Sequence, residues 1–143
     1  MIKTNWNTGS NDSITFSNII EQIKKHTLLK GTVYIGTDSF FIKDDCIFAT
    51  AICLYGADKQ KGGRYFFTKS KINKNKFPEL SIRMIKEAEN TINLSNTIMD
   101  EVPNAMLELH LDISPQENNE GTSHLARMLV GYVKGSGYEC KIK

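Results

Sequence analysis

Two aspartates follow short apolar runs in this sequence, and their position suggests carboxylate chemistry. Asp38 comes directly after residues 33–37, and Asp112 comes directly after residues 107–111. A carboxylate that ends an apolar strand is costly unless it is solvated, hydrogen-bonded or bound to a cation. Each aspartate could instead cap a turn, because Asp-Ser and Asp-Ile-Ser-Pro are both good turn sequences. If the two runs are neighbouring strands, a shared cation site becomes about as plausible as two separate turns.

The elements that must position these aspartates can be predicted from hydrophobic periodicity. The predicted helices are Thr15–Leu29, Glu79–Leu94 and Gly121–Lys134, and the predicted strands are Thr32–Thr37, Cys46–Tyr55, Arg64–Lys69, Met106–Ile113 and Tyr138–Ile142. This order predicts an α/β fold with one mixed five-stranded sheet, a three-strand antiparallel meander plus parallel strands, flanked by helices. Sites in such sheets gather at the carboxyl ends of strands, where Asp38 and Asp112 are expected.

Size and composition predict an ordinary soluble protein. The 143 residues suit a single domain, residues 1–143, in which residues 1–30 form an N-terminal helical extension. A net charge of only +2 argues against a strong global field for an acidic partner. The three cysteines lack metal-ligand spacing and suit a reducing compartment, so a cytoplasmic location is expected. No signal peptide or membrane-spanning run is visible, and no membrane partner is expected.

Short motifs with a characteristic order and spacing run from about Gly31 to the end of the sequence. They are Tyr34–Ser39, Arg83-Met84 with Glu87, Glu108–Ile113, Gly131–Val133 with Gly135, Gly137 and Tyr138, and Ile142-Lys143. In this order they resemble the YkuK-type family of predicted ribonuclease H-like nucleases. The resemblance implies a ribonuclease H-like fold, in which acids on the first strand, the first long helix and the fourth strand hold divalent metals. It therefore implies that Asp38, Glu87 and Asp112 are the catalytic, metal-binding carboxylates.

Carboxylate oxygens are ligands that suit Mg²⁺ or Mn²⁺, and a pair of such cations can activate water and stabilise the oxygens of a phosphodiester under attack. Without a cation, clustered carboxylates repel and raise one another's pKa. Helical periodicity leaves Glu87 and Glu89 about equally far from the apolar stripe of their helix. The choice of Glu87 therefore rests on the resemblance, and a solvated helix glutamate is the alternative.

Ribonuclease H-like enzymes commonly take a fourth ligand from a helix after the last strand. YkuK-type chains continue past the position of Lys143 with an aspartate-bearing segment, whereas the sequence here stops at Lys143. Glu117 and Glu120 are candidate substitutes, although a loop of this composition is more often a solvated connection. The chain is then a shortened relative, an enzyme that works with three carboxylates, or a fold that has lost activity.

A basic segment at residues 59–76 is the one local sign of a nucleic-acid partner. It contains no acid, and aromatic residues at 65–67 are interleaved with its lysines. Lysines bind a phosphate backbone without sequence preference, and aromatic rings stack on bases. Lys69, Lys71 and Lys74 are therefore candidate nucleic-acid-binding residues. The equal alternative is a solvated sheet edge that discourages aggregation.

These features predict a divalent-metal-dependent nuclease that hydrolyses phosphodiester bonds in DNA or RNA. Asp38 and Asp112 would bridge the metals, and Glu87 would complete one coordination shell. The alternative is a catalytically inactive module of the same fold that binds nucleic acid or a protein partner, and a small-molecule phosphohydrolase is a third option. The oligomeric state stays open, with a homodimer among the options.

Overall fold

A computed structural model describes the backbone of residues 5–112 and 120–142, and the side chains of residues 5–112 and 124–142. The strands are β1 (Trp6–Thr8), β2 (Ser13–Ile14), β3 (Thr32–Ile42), β4 (Asp45–Tyr55), β5 (Arg64–Asn73), β6 (Met106–Leu111) and β7 (Glu139–Ile142). The helices are α1 (Phe16–Leu28), α2 (Leu80–Glu101) and α3 (Glu120–Gly135), with a 3₁₀ turn at Lys74–Lys76.

The strands form one mixed sheet in the order β2-β1-β5-β4-β3-β6-β7. Strands β3, β4 and β5 are the predicted antiparallel meander, and β6 and β7 add to it in parallel. The sheet has seven strands rather than the predicted five, because the N-terminal extension contributes β1 and β2 as well as a helix. These two strands have three and two residues, too few to show an alternating pattern in the sequence.

All three helices contribute to one hydrophobic core on one face of the sheet. Because side chains alternate along a strand, Val33, Ile35 and Thr37 of β3 point to this helical face and are buried. Tyr34, Gly36 and Asp38 consequently lie on the opposite face, which we call the open face. In the described part of the chain no helix is long and apolar enough to cross a lipid bilayer.

Strand β3 is longer than its sequence predicts, and this changes the setting of Asp38. The strand continues to Ile42, and the hairpin to β4 turns at Lys43, which has a φ of 53°. Asp38 pairs with Ala49 within the β3–β4 ladder, so the prediction that Asp38 follows the end of its strand is wrong. The Asp-Ser pair has turn chemistry, but continued pairing with β4 keeps the backbone extended.

Candidate functional site

Asp38 and Asp112 lie near each other because β3 and β6 are parallel neighbours. Their ladder ends at the pair Gly36 and His110, and β6 itself stops at Leu111. Asp38 therefore lies on β3 just beyond the last ladder pair, and Asp112 directly follows β6. Both aspartates line the same cleft on the open face, with a volume of about 340 Å³. Asp38 and Asp112 are both exposed.

Glu87 approaches the same region from the helical face. It is on α2 and only 9% exposed. The Oγ atom of Ser39, the residue after Asp38 on β3, donates a hydrogen bond to the Glu87 carboxylate. Glu89, by contrast, is exposed and forms an ion pair with Lys86, with 3.9 Å between Oε2 and Nζ. The structure thus separates the two glutamates that the helical periodicity left equivalent.

Burial raises the pKa of Glu87 to about 7. The hydrogen bond from Ser39 opposes this shift, the charges of Asp112 and Asp38 add to it, and the charge of Arg83 opposes it. The pKa of Glu87 therefore responds to both aspartates. Near neutral pH the carboxyl group of Glu87 is poised between its charged and neutral forms.

The donor chemistry of this group fits a hard divalent cation, because all three side chains offer carboxylate oxygens. A bound cation would also offset the repulsion that raises the pKa of Glu87. Asp38 and Glu87 come from opposite faces of β3, however. Among the described residues no three Asp, Glu, His or Cys side chains converge into a ready metal-binding group. The three carboxylates are thus near one another without forming a complete coordination shell.

A buried network of hydroxyl groups holds α2 against the sheet beside Glu87. The Oγ atom of Thr91 on α2 lies 2.9 Å from that of Thr37 on β3, which lies 3.1 Å from that of Thr50 on β4. Thr91 Oγ also lies 3.1 Å from the backbone carbonyl of Glu87. This network was not predicted from the sequence. Its only signal was a threonine at inward-facing positions of two otherwise apolar strands.

Two further side chains that were not predicted as ligands lie near the carboxylates. His110 lines the open-face cleft, and its Nε2 atom lies 3.1 Å from Oε2 of Glu108. Its ring packs edge-on against Tyr34, with 5.5 Å between ring centroids. Arg83, whose charge acts on Glu87, places its guanidinium 4.8 Å from the centroid of the Phe41 ring. His110 on the open face and Arg83 on the helical face both add polar groups around the carboxylates.

The predicted nucleic-acid-binding lysines lie in the second half of β5 and in the 3₁₀ turn that follows it. Lys71 pairs with Asp45 at 3.5 Å and Lys74 pairs with Asp44 at 3.6 Å. Lys69 is exposed and forms no ion pair with any residue that the structure describes. Asp38 pairs in register with Ala49, which pairs with Lys69, so the aspartate and this lysine share one row of the open face.

The structure does not describe the side chains of the candidate substitute ligands, Glu117 and Glu120. Glu117 lies outside the described residues, and so does the side chain of Glu120, whose backbone begins α3. Their role therefore stays a prediction.

A family model described as Ribonuclease H-like matches residues 15–143. No curated protein and no solved structure shows a significant match to the chain. The mixed sheet with three helices agrees with the family fold, so the predicted fold class is confirmed. The match covers most of the sequence, and we conclude that the chain belongs to the ribonuclease H-like family.

Proposed function

We propose that this chain is a YkuK-type nuclease that uses Mg²⁺ or Mn²⁺ to hydrolyse phosphodiester bonds in DNA or RNA. Membership of the ribonuclease H-like family supports a nuclease-type fold. The observation that carries the proposal is geometric: Asp38 and Asp112 line one cleft, and the buried Glu87 is bonded to Ser39, the residue next to Asp38. Three carboxylates that repel one another at neutral pH are unfavourable by themselves and become favourable when a cation is bound.

The residues have distinct roles in this proposal. Asp38 and Asp112 hold the metal on the open face, where a phosphodiester can reach it. Glu87 completes the ligand set from the helical face, and the Ser39 hydroxyl orients its carboxylate. The bound cations supply activation of water and stabilise charge on the attacking and leaving oxygens. Lys69, free of an acidic partner among the described residues, contacts the phosphate backbone.

A catalytically inactive module of the same fold is the second candidate. It is favoured by the open arrangement of the ligands, since no metal-binding group of three side chains is formed within the described residues. Such a module would bind nucleic acid or a protein through the same basic edge and would need no cation at Asp38 and Asp112.

Cleavage of a labelled substrate panel tests the proposal. The panel contains single-stranded DNA, duplex DNA, RNA, an RNA–DNA hybrid and a branched junction, each with Mn²⁺ or Mg²⁺ and each repeated with EDTA. We expect cation-dependent cleavage of at least one substrate. Asp38→Asn and Asp112→Asn should each slow that cleavage by about a hundredfold or more. Glu89→Gln is the matched control, because it removes an exposed carboxylate from α2, and it should cleave like wild type.

Two results would contradict the nuclease proposal. One is a folded wild-type protein that leaves every substrate intact with either cation. The other is cleavage that persists unchanged in both aspartate variants, which would point to a contaminating nuclease.

A further inference from the structure

The open face of the sheet contains a trough that ends at the proposed metal ligands. In-register pairing aligns Tyr34 with Cys53, Gly36 with Ala51, and Asp38 with Ala49. The small side chains among them, at Gly36, Ala49, Ala51 and Cys53, leave a shallow depression along the centre of the face. The floor of the trough consists of Gly36, Ala49, Ala51 and Cys53, and the same cleft is lined by Asp38 and Asp112.

Gly36 keeps the floor of the trough close to the backbone. A Cβ atom at this position would approach the carbonyl oxygen of His110 on β6 to 3.2 Å. That contact is tighter than ordinary van der Waals packing and would press on a backbone group that the β3–β6 ladder fixes. The position therefore favours glycine, and the depth of the trough there is set by the ladder itself.

Aromatic rings border the trough on both sides. On β5, Tyr65 pairs in register with Cys53 and Phe67 pairs with Ala51. Their rings lie 6.4 Å apart between centroids; Tyr65 is 49% exposed and packs against Gly9 beside β1, so Phe67 is the β5 ring next to the floor. On the other side, Tyr34 packs edge-on against His110. Tyr34 is on β3, two strand spacings or about 10 Å from the β5 backbone, so the trough runs along β4 between these side chains.

The charges around the trough suit a polyanion next to the carboxylates. Lys69 extends the row of Asp38 and Ala49 onto β5, and Lys71 follows two residues later on the same face. A phosphate chain can thus pass the carboxylate end of the trough while remaining beside a cationic strand. A protein segment packed over this face would instead bury Asp38, Lys69 and His110, which is unfavourable without matched partners.

We propose that the trough binds unpaired bases of single-stranded nucleic acid, so that the backbone of that strand passes Asp38 and Asp112. This inference rests on the proposed nuclease function and specifies its substrate. A base can lie on a sheet and stack on its aromatic side chains only when it is unpaired and unstacked from a duplex. The protein then selects single strands by the shape of the trough, without reading their sequence.

Binding measured without catalysis tests the inference. Fluorescein-labelled oligothymidylate and oligouridylate are titrated in EDTA, which keeps the phosphodiester bonds intact, and binding is read by fluorescence anisotropy. The same thymidine oligomer is also offered as a duplex and as an abasic backbone. We expect one or both single strands to bind at least about tenfold more tightly than the duplex or the abasic oligomer.

A filled trough is the decisive variant. Ala51→Ile adds an aliphatic side chain to the centre of the floor at an exposed strand position. It should weaken single-strand binding by about tenfold and leave the affinity for the abasic oligomer unchanged. Ser70→Ile is the matched control, since it adds similar bulk to an exposed position of β5 on the opposite face. Phe67→Leu, which removes a stacking ring, gives a second test should Ala51→Ile fail to fold.

The outcomes separate this inference from the nuclease proposal. Equal single-strand binding by folded Ala51→Ile and wild type, or equal binding of normal and abasic oligomers by wild type, would overturn the trough. A wild-type protein that binds no nucleic acid would also overturn the inference, and a protein would then be the remaining candidate ligand of the open face. If Ala51→Ile weakens base-dependent binding while the wild type cleaves nothing, the trough stands and the nuclease proposal fails.

Discussion

At the Glu87 carboxyl group, burial and the neighbouring negative charges both disfavour the ionised form. Glu87 is 9% exposed, it accepts a hydrogen bond from Ser39, and the charges of Asp38 and Asp112 act on it. Burial alone favours the neutral acid, and two neighbouring anions favour it further. A cation reverses this preference, so the protonation state of Glu87 should report whether the site is loaded.

The raised pKa of Glu87 predicts a stability that falls as pH rises. Its pKa moves from 4.5 to about 7 on folding, so the unfolded state loses the proton first between these values. The stabilisation is complete below about pH 4.5 and is lost as pH rises through about 7. In metal-free buffer above this range, Glu87→Gln should therefore raise the free energy of unfolding by about 2–3 kcal/mol. Urea unfolding across the pH range measures the effect.

Glu89→Gln is the control for that experiment, because Glu89 is an exposed glutamate on the same helix. Its free energy of unfolding should follow the wild-type pH curve. A wild-type protein whose stability does not fall between pH 4.5 and 7 would show that the charge of Glu87 is compensated without metal.

Ser39→Ala should raise the pKa of Glu87 above its wild-type value. The hydroxyl of Ser39 donates to the charged carboxylate, and this bond is one of the two effects that lower the pKa. A carboxyl-carbon NMR titration of Glu87 follows the shift directly. Ser81→Ala, at a half-buried serine near the start of α2 that bonds to Glu79, should leave that titration unchanged. A lower or unchanged midpoint in Ser39→Ala would contradict the assigned hydrogen bond.

At the scale of elements, the position of α2 depends on its hydroxyl contact with the sheet. Thr91→Val keeps the side-chain shape but removes the bond between the Thr91 and Thr37 hydroxyl groups. We expect a loss of about 1–2 kcal/mol in the free energy of unfolding. Thr97→Val removes an exposed hydroxyl from the same helix and should change stability by less than about 0.5 kcal/mol. Equal effects of the two variants would show that the buried network does not fix α2.

The junction between α1 and β3 is held by a close contact of Gly31 with His26. The His26 ring bonds to backbone carbonyls of Thr32 at 2.9 Å and Tyr55 at 3.2 Å, and a Cβ on Gly31 would lie 2.1 Å from Nε2 of that ring. Gly31→Ala should therefore lower the free energy of unfolding by more than about 2 kcal/mol. Gly131→Ala, which meets nothing within 4 Å in α3, should instead be neutral or stabilising. Thermal unfolding of both variants distinguishes the two effects, and an unchanged melting temperature for Gly31→Ala would contradict the contact.

The long elements could be predicted from the sequence, whereas strand ends depended on tertiary pairing. The run Cys46–Tyr55 is nearly all apolar and was predicted as a strand, and it lies within β4, Asp45–Tyr55. The extension of β3 to Ile42 was missed, because Asp38-Ser39 has turn chemistry and only the β4 partner shows that the ladder continues. Local sequence contains no information about that register.

The candidate site was likewise predictable where it depends on the order of the elements, and unpredictable where it depends on tertiary packing. Parallel neighbours β3 and β6 bring Asp38 and Asp112 together, as the order of elements indicated. The helical periodicity did not choose between Glu87 and Glu89, because that choice depends on how α2 is rotated on the sheet. The approach of Asp38 and Glu87 from opposite faces could not be predicted, since it follows from the continuation of β3 past Asp38, which places Asp38 on one face and the Glu87 partner Ser39 on the other.

At the scale of the whole molecule, the described helices all pack on one face of the sheet, and none of them covers the open face. The basic segment of the sequence includes β5, which places Lys69 and Lys71 on that open face. Lys71 has Asp45 as a partner, whereas Lys69 has no acidic partner among the residues described. Nucleic-acid binding should therefore depend more on Lys69 than on Lys71. The prediction of a single domain over residues 1–143 stays a prediction.

Lys69→Gln should reduce the salt dependence of single-strand binding. Loss of one phosphate contact lowers the slope of log affinity against log salt by about 0.7 for a single strand. Lys24→Gln removes the same charge from α1, where Lys24 pairs with Glu21, and should leave the slope unchanged. Anisotropy titrations over a range of salt concentrations give both slopes, and equal slopes for Lys69→Gln and wild type would argue against this path for the backbone.

The most direct test of the central claim is calorimetric titration of the folded protein with Mn²⁺. The account predicts that wild type binds Mn²⁺, that Asp38→Asn, Asp112→Asn and Glu87→Gln each weaken binding by about tenfold or more, and that Glu89→Gln binds like wild type. Absence of binding to wild type, or unchanged binding in the three carboxylate variants, would contradict a metal site formed by Asp38, Glu87 and Asp112.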